Sequence, residues 1–215
     1  DSGEYGRYVS LISNQTISDF YFEMAPPKLL ADTARVAHHV NEVHAGSGGL
    51  QTPFTGKGVI IGYVDTGIDF THPDFMNPDS STRVLRYWDH TVTTGPSPGT
   101  YGYGTVWDST AINNGTCTST DSHSHGTTVA GFGSGNAFAN GRMKGMAPES
   151  DIIIVESNFS APNWTLTIAD ACDYIFKVAD SLGKPAIVNL SLGTYFGSHD
   201  GNDPAAEAME AMAWP

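Results

Sequence analysis

The sequence predicts an α/β fold: a doubly wound, mostly parallel sheet with helices on both faces. Three observations predict it. Near-continuous apolar runs at 59–64, 152–155 and 186–190 read as strands covered on both faces, the pattern of a parallel sheet. A helical period over 166–182, carried by Ile168, Cys172, Ile175, Val178 and Leu182, separates the second run from the third. Short links between strand, helix and strand favour crossover units over hairpins.

The elements follow in order. Residues 1–55 read as a lead-in segment and 56–215 as the body of the fold. Within the lead-in, Ala25-Pro26-Pro27 stops any helix. Leu29 to Ala37 then takes up a helical spacing that Val40 and Val43 continue, and Gly46-Ser47-Gly48-Gly49 ends it. After the strand at 59–64 comes a long insertion, 76–122, rich in Ser, Thr, Gly, Asn and Asp, with one strand at 84–88. So long an irregular stretch usually belongs to a binding loop. A helix from about Gly126, the strand at 152–155, the helix at 166–182, the strand at 186–190 and a helix at 204–212 complete the order.

Composition excludes several function classes. No apolar run reaches the roughly 18 residues of a membrane-spanning helix. Asp1-Ser2-Gly3-Glu4 has neither the basic start nor the apolar core of a signal peptide. Ten basic against 23 acidic residues give a net charge of −13, which repels a phosphate backbone and argues against nucleic acid as a partner. Cys117 and Cys172 are too few for a disulfide framework. Cys172 falls on the apolar face of its helix and reads as a buried thiol; Cys117 sits in a polar loop, free or paired. Asn-x-Ser/Thr triplets begin at Asn14, Asn114, Asn163 and Asn189, the last in a strand expected to be buried.

Two short motifs carry chemistry. In the first, an apolar strand ends in Asp65, followed by Thr66-Gly67. In such sheets sites form at the carboxyl ends of strands, and a carboxylate held there can orient a histidine and stabilise its imidazolium. In the second, His125 opens the small-residue segment Gly126-Thr127-Thr128-Val129-Ala130-Gly131. A helix N-terminus disfavours the charged imidazole, and a nearby carboxylate works against that, leaving a base suited to neutral pH. Taken singly, Asp65 could be a capping or turn aspartate, and His123 reads as a surface histidine. A zinc site built from His72, Asp74, His123 and His125 fits no standard spacing. Oxygen donors suited to calcium stand at Asp74 and in the Asn136/Asn140 loop. The Asp65-Thr66-Gly67 triplet also occurs in aspartic proteases, but their mostly antiparallel β architecture disagrees with alternating strands and helices.

Together these phrases carry a family resemblance. Val64-Asp65-Thr66-Gly67-Ile68-Asp69, continuing to His72-Pro73-Asp74-Phe75, resembles the aspartate motif of the subtilisin-like serine proteases. His125-Gly126-Thr127 with Val129-Ala130-Gly131 resembles their histidine motif, with Thr128 where a histidine is often found. Gly145-Met146-Ala147-Pro148-Glu149 and Val188-Asn189-Leu190-Ser191-Leu192-Gly193 resemble the segment after the histidine helix and the substrate-binding strand.

The resemblance implies that Asp65 orients His125 and that His125 is the general base, then the general acid. It implies that Ser191, Leu192 and Gly193 pair their backbone with an extended peptide, Leu192 helping to wall the side-chain pockets. Residues 56–215 would then be the N-terminal part of a catalytic domain. The family's order is Asp, His, Ser, its serine lying in a Gly-Thr-Ser-hydrophobic-Ala phrase that these 215 residues lack. The nucleophile is therefore expected beyond residue 215, along with the oxyanion-hole asparagine and the remaining sheet strands. This chain alone would be inactive, and the strands around Val59, Ile152 and Ile187 poorly covered. The alternative is an inactive fragment or pseudo-protease that binds extended peptide without cleaving it. The family's habits further imply polypeptide substrates, a secreted or cell-surface location, no cofactor for catalysis, and calcium in a structural role.

Overall fold

The computed structural model describes residues 30–195 and 197–213. The Asn14 triplet, the Ala25-Pro26-Pro27 stop and Leu29 lie outside the described residues. Two short helices come first, α1 (Leu30–Ala37) and α2 (Val40–Ala45). The spacing through Val43 suggests one helix; it is broken at His39, whose φ of 57° is left-handed. Gly46, at φ 65°, ends α2.

Five strands follow: β1 (Ile60–Asp65), β2 (Val84–Asp89), β3 (Thr105–Asp108), β4 (Asp151–Glu156) and β5 (Ala186–Asn189). They form one sheet in the order β3-β2-β4-β1-β5. All neighbours are parallel except β2 and β3. Between and after the strands lie α3 (Ser109–Asn113), α4 (His125–Ser134), α5 (Trp164–Ser181) and α6 (Pro204–Ala213). The doubly wound, mostly parallel sheet expected from the sequence is what the structure contains.

Side-chain alternation along the central strands feeds two cores. On one face Ile60, Val64, Trp88, Ile153 and Val155 meet Ile168, Tyr174 and Ile175 of α5. On the other, Tyr63, Tyr87, Ile152 and Ile154 meet Ile68, Phe75, Ile112 and Ala130. Each fully buried aliphatic side chain of this size contributes about 1.5–3 kcal/mol. Gly62 is the point of closest approach to α5: a Cβ there would stand 2.5 Å from Ile175 Cγ2 and 2.7 Å from its Cδ1.

Three features differ from the sequence reading. The 76–122 segment is more regular than expected, supplying β2, β3 and α3. It is also fastened over α5, where the hydroxyls of Tyr101 and Tyr103 donate to Asp173 Oδ2 (2.6 Å) and Asp170 Oδ2 (2.9 Å). Second, poor coverage is confined to one strand. Ile60 and Ile152 are wholly buried, while Ile187 on β5 is 61% exposed. The reason is position: β1 and β4 are flanked on both sides and covered on both faces, whereas β5 is an edge strand. Third, Asn189 is for the same reason only partly buried. Both cysteines are free, and burial pushes the Cys172 thiol up to about 11. No helix among the described residues is long and apolar enough to cross a membrane.

Candidate active site

Asp65 is the last residue of β1 and His125 the first of α4, so the carboxyl edge of the sheet and a helix N-terminus converge on one point. His125 Nδ1 lies 2.7 Å from Asp65 Oδ1. A carboxylate only accepts, so Nδ1 carries the hydrogen and Nε2 is left with its lone pair. Asp65 is 2% exposed, against 56% for the histidine side chain. The acid is thus held in the protein and the base is presented to solvent. Asp65 Oδ1 also accepts from the Thr66 backbone N–H (2.7 Å), while Oδ2 is buried without a partner among the described residues.

The hydrogen bond from His125 to Asp65 and the charge of that acid hold the imidazole above its ordinary pKa; the charge of Asp121 adds to this, and the small loss of solvent opposes it.

Close approach of α4 to β1 depends on Gly126. A Cβ there would collide with the carbonyl oxygen of Gly67 and stand 3.1 Å from Asp65 Cβ. Asp121 supplies the rest of the joint. Its Oδ1 accepts from Thr66 Oγ1 (2.9 Å) and from the N–H groups of His123 (3.1 Å) and Ser124 (2.9 Å). Its Oδ2 accepts from Thr127 N (2.8 Å) and Thr127 Oγ1 (2.7 Å). Burial pushes the Asp121 carboxyl up, but the bonds from Thr127, Thr66 and His123 outweigh it and hold the group below its usual range.

Glu156, at the end of β4, is the register partner of Asp65. Burial pushes it up to about 7, Asp89 and Asp121 push the same way, and the hydrogen bond from Tyr87 (2.7 Å) opposes them. Sequence reading missed both Asp121 and Glu156. The one available signal for Asp121 was its place four residues before His125.

The remaining expected residues are less tightly joined. His123 is exposed, as expected of a surface histidine. Ser191, Leu192 and Gly193 follow β5, one strand over from β1 at the same carboxyl edge. The Ser191 hydroxyl accepts from Asn189 Nδ2 at 2.9 Å and has no hydrogen bond with His125. Leu192 lines a cavity of about 500 Å³ with Trp164, Ile168, Leu190 and Met209. Of the oxygens considered for calcium, Asp74 Oδ1 accepts from Ala139 N (2.7 Å), Asn136 Oδ1 from Phe138 N (2.9 Å) and Asn140 Oδ1 from Arg142 N (2.8 Å). Among the described residues no group of three or more His, Cys, Asp or Glu side chains is placed to hold a metal ion.

A sequence model of the subtilase family matches residues 56–214. The serine protease AprX of Bacillus subtilis is 30% identical over 193 residues, covering 87% of this chain and 36% of that protein. The PII-type proteinase of Lacticaseibacillus paracasei is 28% identical over 171 residues, covering 73% of this chain and 9% of that protein. The solved structure of the Clostridium perfringens CspB protease superposes with a TM-score of 0.64 at 26% identity, covering 75% of this chain and 34% of that one. The chain therefore spans about a third of AprX and of the CspB protease, and about a tenth of the PII-type proteinase.

Proposed function

The chain belongs to the subtilase family, and we propose that it carries the acid and the base of a serine endopeptidase that hydrolyses peptide bonds. The observation that carries this reading is the 2.7 Å contact between His125 Nδ1 and a buried Asp65. His125 Nε2 takes the proton from a serine hydroxyl as its oxygen attacks the scissile carbonyl. The imidazolium so formed is stabilised by Asp65, and the proton then passes to the leaving amine. The serine is supplied from beyond residue 215, as the family order of Asp, His, Ser implies.

The substrate is an extended polypeptide lying along Ser191, Leu192 and Gly193. In support of this placement, β5 is an edge strand with no neighbour beyond it in the described sheet, so backbone groups past its end are open to strand addition. The cavity beside Leu192 accepts an apolar side chain of that peptide. The enzyme acts outside the cell or at its surface. Catalysis itself needs no cofactor, and any bound calcium is structural. The test is hydrolysis of a generic protein substrate by the full-length gene product, with Asp65→Ala and His125→Ala variants. Loss of turnover in both supports the reading. Peptide binding that persists with no hydrolysis even in the wild-type protein would favour a pseudo-protease.

A further inference from the structure

We infer that Asp121 is the residue that positions His125 against Asp65. This rests on the protease reading for its functional meaning and on hydrogen bonds alone for its geometry. The Asp65–His125 pair joins two elements 60 residues apart in sequence, and a single bond between a strand end and a half-exposed ring does not fix either.

Asp121 ties both sides of the pair at once. Toward β1, its Oδ1 accepts from Thr66 Oγ1 at 2.9 Å; the same hydroxyl accepts from Gly126 N–H at 3.0 Å. A chain of bonds therefore runs from the amide next to His125, through the residue next to Asp65, to Asp121. Toward α4, Oδ1 and Oδ2 together accept from the His123, Ser124 and Thr127 N–H groups. Ser124, the residue before His125, sits at a left-handed φ of 62° and its side chain does not cap the helix. That conformation is costly for a non-glycine residue; the bond from its N–H to Asp121 holds it on one side, and bonds from Thr128 N–H and Oγ1 to its carbonyl hold it on the other. Thr127 Oγ1, bound to Asp121, in turn accepts from Asp69 N–H at 2.8 Å, closing the clamp onto the turn beyond Asp65.

The titratable groups around the pair are Asp69 in that turn, Asp121 and His123 in the loop before α4, and Glu156 at the end of β4. Of these, Asp121 is the one whose charge adds to that of Asp65 in favouring the protonated ring.

The test is proton NMR of the full-length gene product, reading the low-field resonance of the His125 Nδ1 proton and the titration of the ring. Asp65→Asn serves as the assignment control. Asp121→Asn keeps the side-chain shape but turns one oxygen into a donor, and Thr66→Val cuts the clamp while keeping the Asp121 charge. The expected result is loss of the low-field resonance in both variants with the fold retained. A downward shift of the titration midpoint accompanies it in Asp121→Asn. Wild-type resonance and midpoint in either folded variant would overturn the assignment. So would global unfolding of both, which would make Asp121 a stabilising cap and nothing more. The two readings fail separately: if the resonance behaves as expected but the full-length product never hydrolyses peptide, the protease reading falls and the positioning role stands.

Discussion

Gly126 and Gly67 meet backbone to backbone, so the first turn of α4 rests directly on the turn that follows Asp65. A side chain at Gly126 would push the base away from its acid, whereas one at Gly67 would meet the Tyr87 hydroxyl. Gly126→Ala places a methyl against the Gly67 carbonyl and close to Asp65. Overpacking of this kind costs about 1–3 kcal/mol, and here the strain falls on the Asp65–His125 contact. The expected outcome is a folded protein with a modestly lower Tm, the His125–Asp65 hydrogen bond lost and turnover in the full-length product reduced at least about 100-fold. Calorimetry with a hydrolysis assay checks both parts.

Gly62 offers a control remote from the chemistry. A methyl there meets Ile175, a wholly buried residue of α5. Gly62→Ala is expected to destabilise by about 1–3 kcal/mol in urea unfolding. Adding Ile175→Val, which removes a methyl at the contact, should restore part of that loss; a double variant less stable than the sum of the singles would contradict the packing argument.

The pH dependence follows from the raised pKa of His125, caused first by its hydrogen bond to Asp65 and then by that carboxylate's charge. As a base the ring must be neutral, so kcat/KM should fall on acidification through an inflection above the ordinary histidine value. Asp65→Asn should move that inflection down. The sign for stability is opposite: the protonated pair favours the folded state fully below the unfolded pKa of about 6.5 and loses this contribution as pH rises through the folded value. A rate profile and an unfolding series at several pH values separate the two effects.

Glu156 predicts a different dependence. Its folded pKa of about 7, raised first by burial and then by Asp89 and Asp121, lies well above the ordinary 4.5. Between those values the folded protein binds the proton and the unfolded chain does not, so stability falls as pH rises and the penalty is complete above 7. Glu156→Gln keeps an acceptor for Tyr87 and removes the ionisation. The variant should be more stable than wild type at pH 8 by about 1–2 kcal/mol once solvent screening of this part-exposed group is discounted, and little changed at pH 4. Equal stability at both pH values would show that Glu156 ionises freely.

Much of the fold was legible because its signals are local. β1 and β4 are apolar runs whose burial on both faces needs no tertiary knowledge to suspect, and α5 shows its period through Ile168, Cys172 and Ile175. Asp65 and His125 were legible because each stands at an element boundary that a turn or a small-residue helix marks. β3 was not: Thr105 to Asp108 is a four-residue edge strand set in Gly, Thr and Ser, and it exists because β2 is there to pair with it. Asp121 and Glu156 were hidden for the same kind of reason. A loop aspartate and a strand-end glutamate look solvated in sequence, and only the convergence of three strand ends with α4 makes one a clamp and the other a raised acid. The break at His39 was equally invisible, since the apolar spacing runs straight through it.

Labelling by a serine-directed fluorophosphonate tests the proposal that Asp65 and His125 activate a serine lying beyond residue 215. The full-length gene product is expected to label at one serine outside these 215 residues, with labelling abolished by His125→Ala, and the 215-residue chain alone is expected not to label. Labelling of the short chain, or undiminished labelling of the His125→Ala protein, would contradict it.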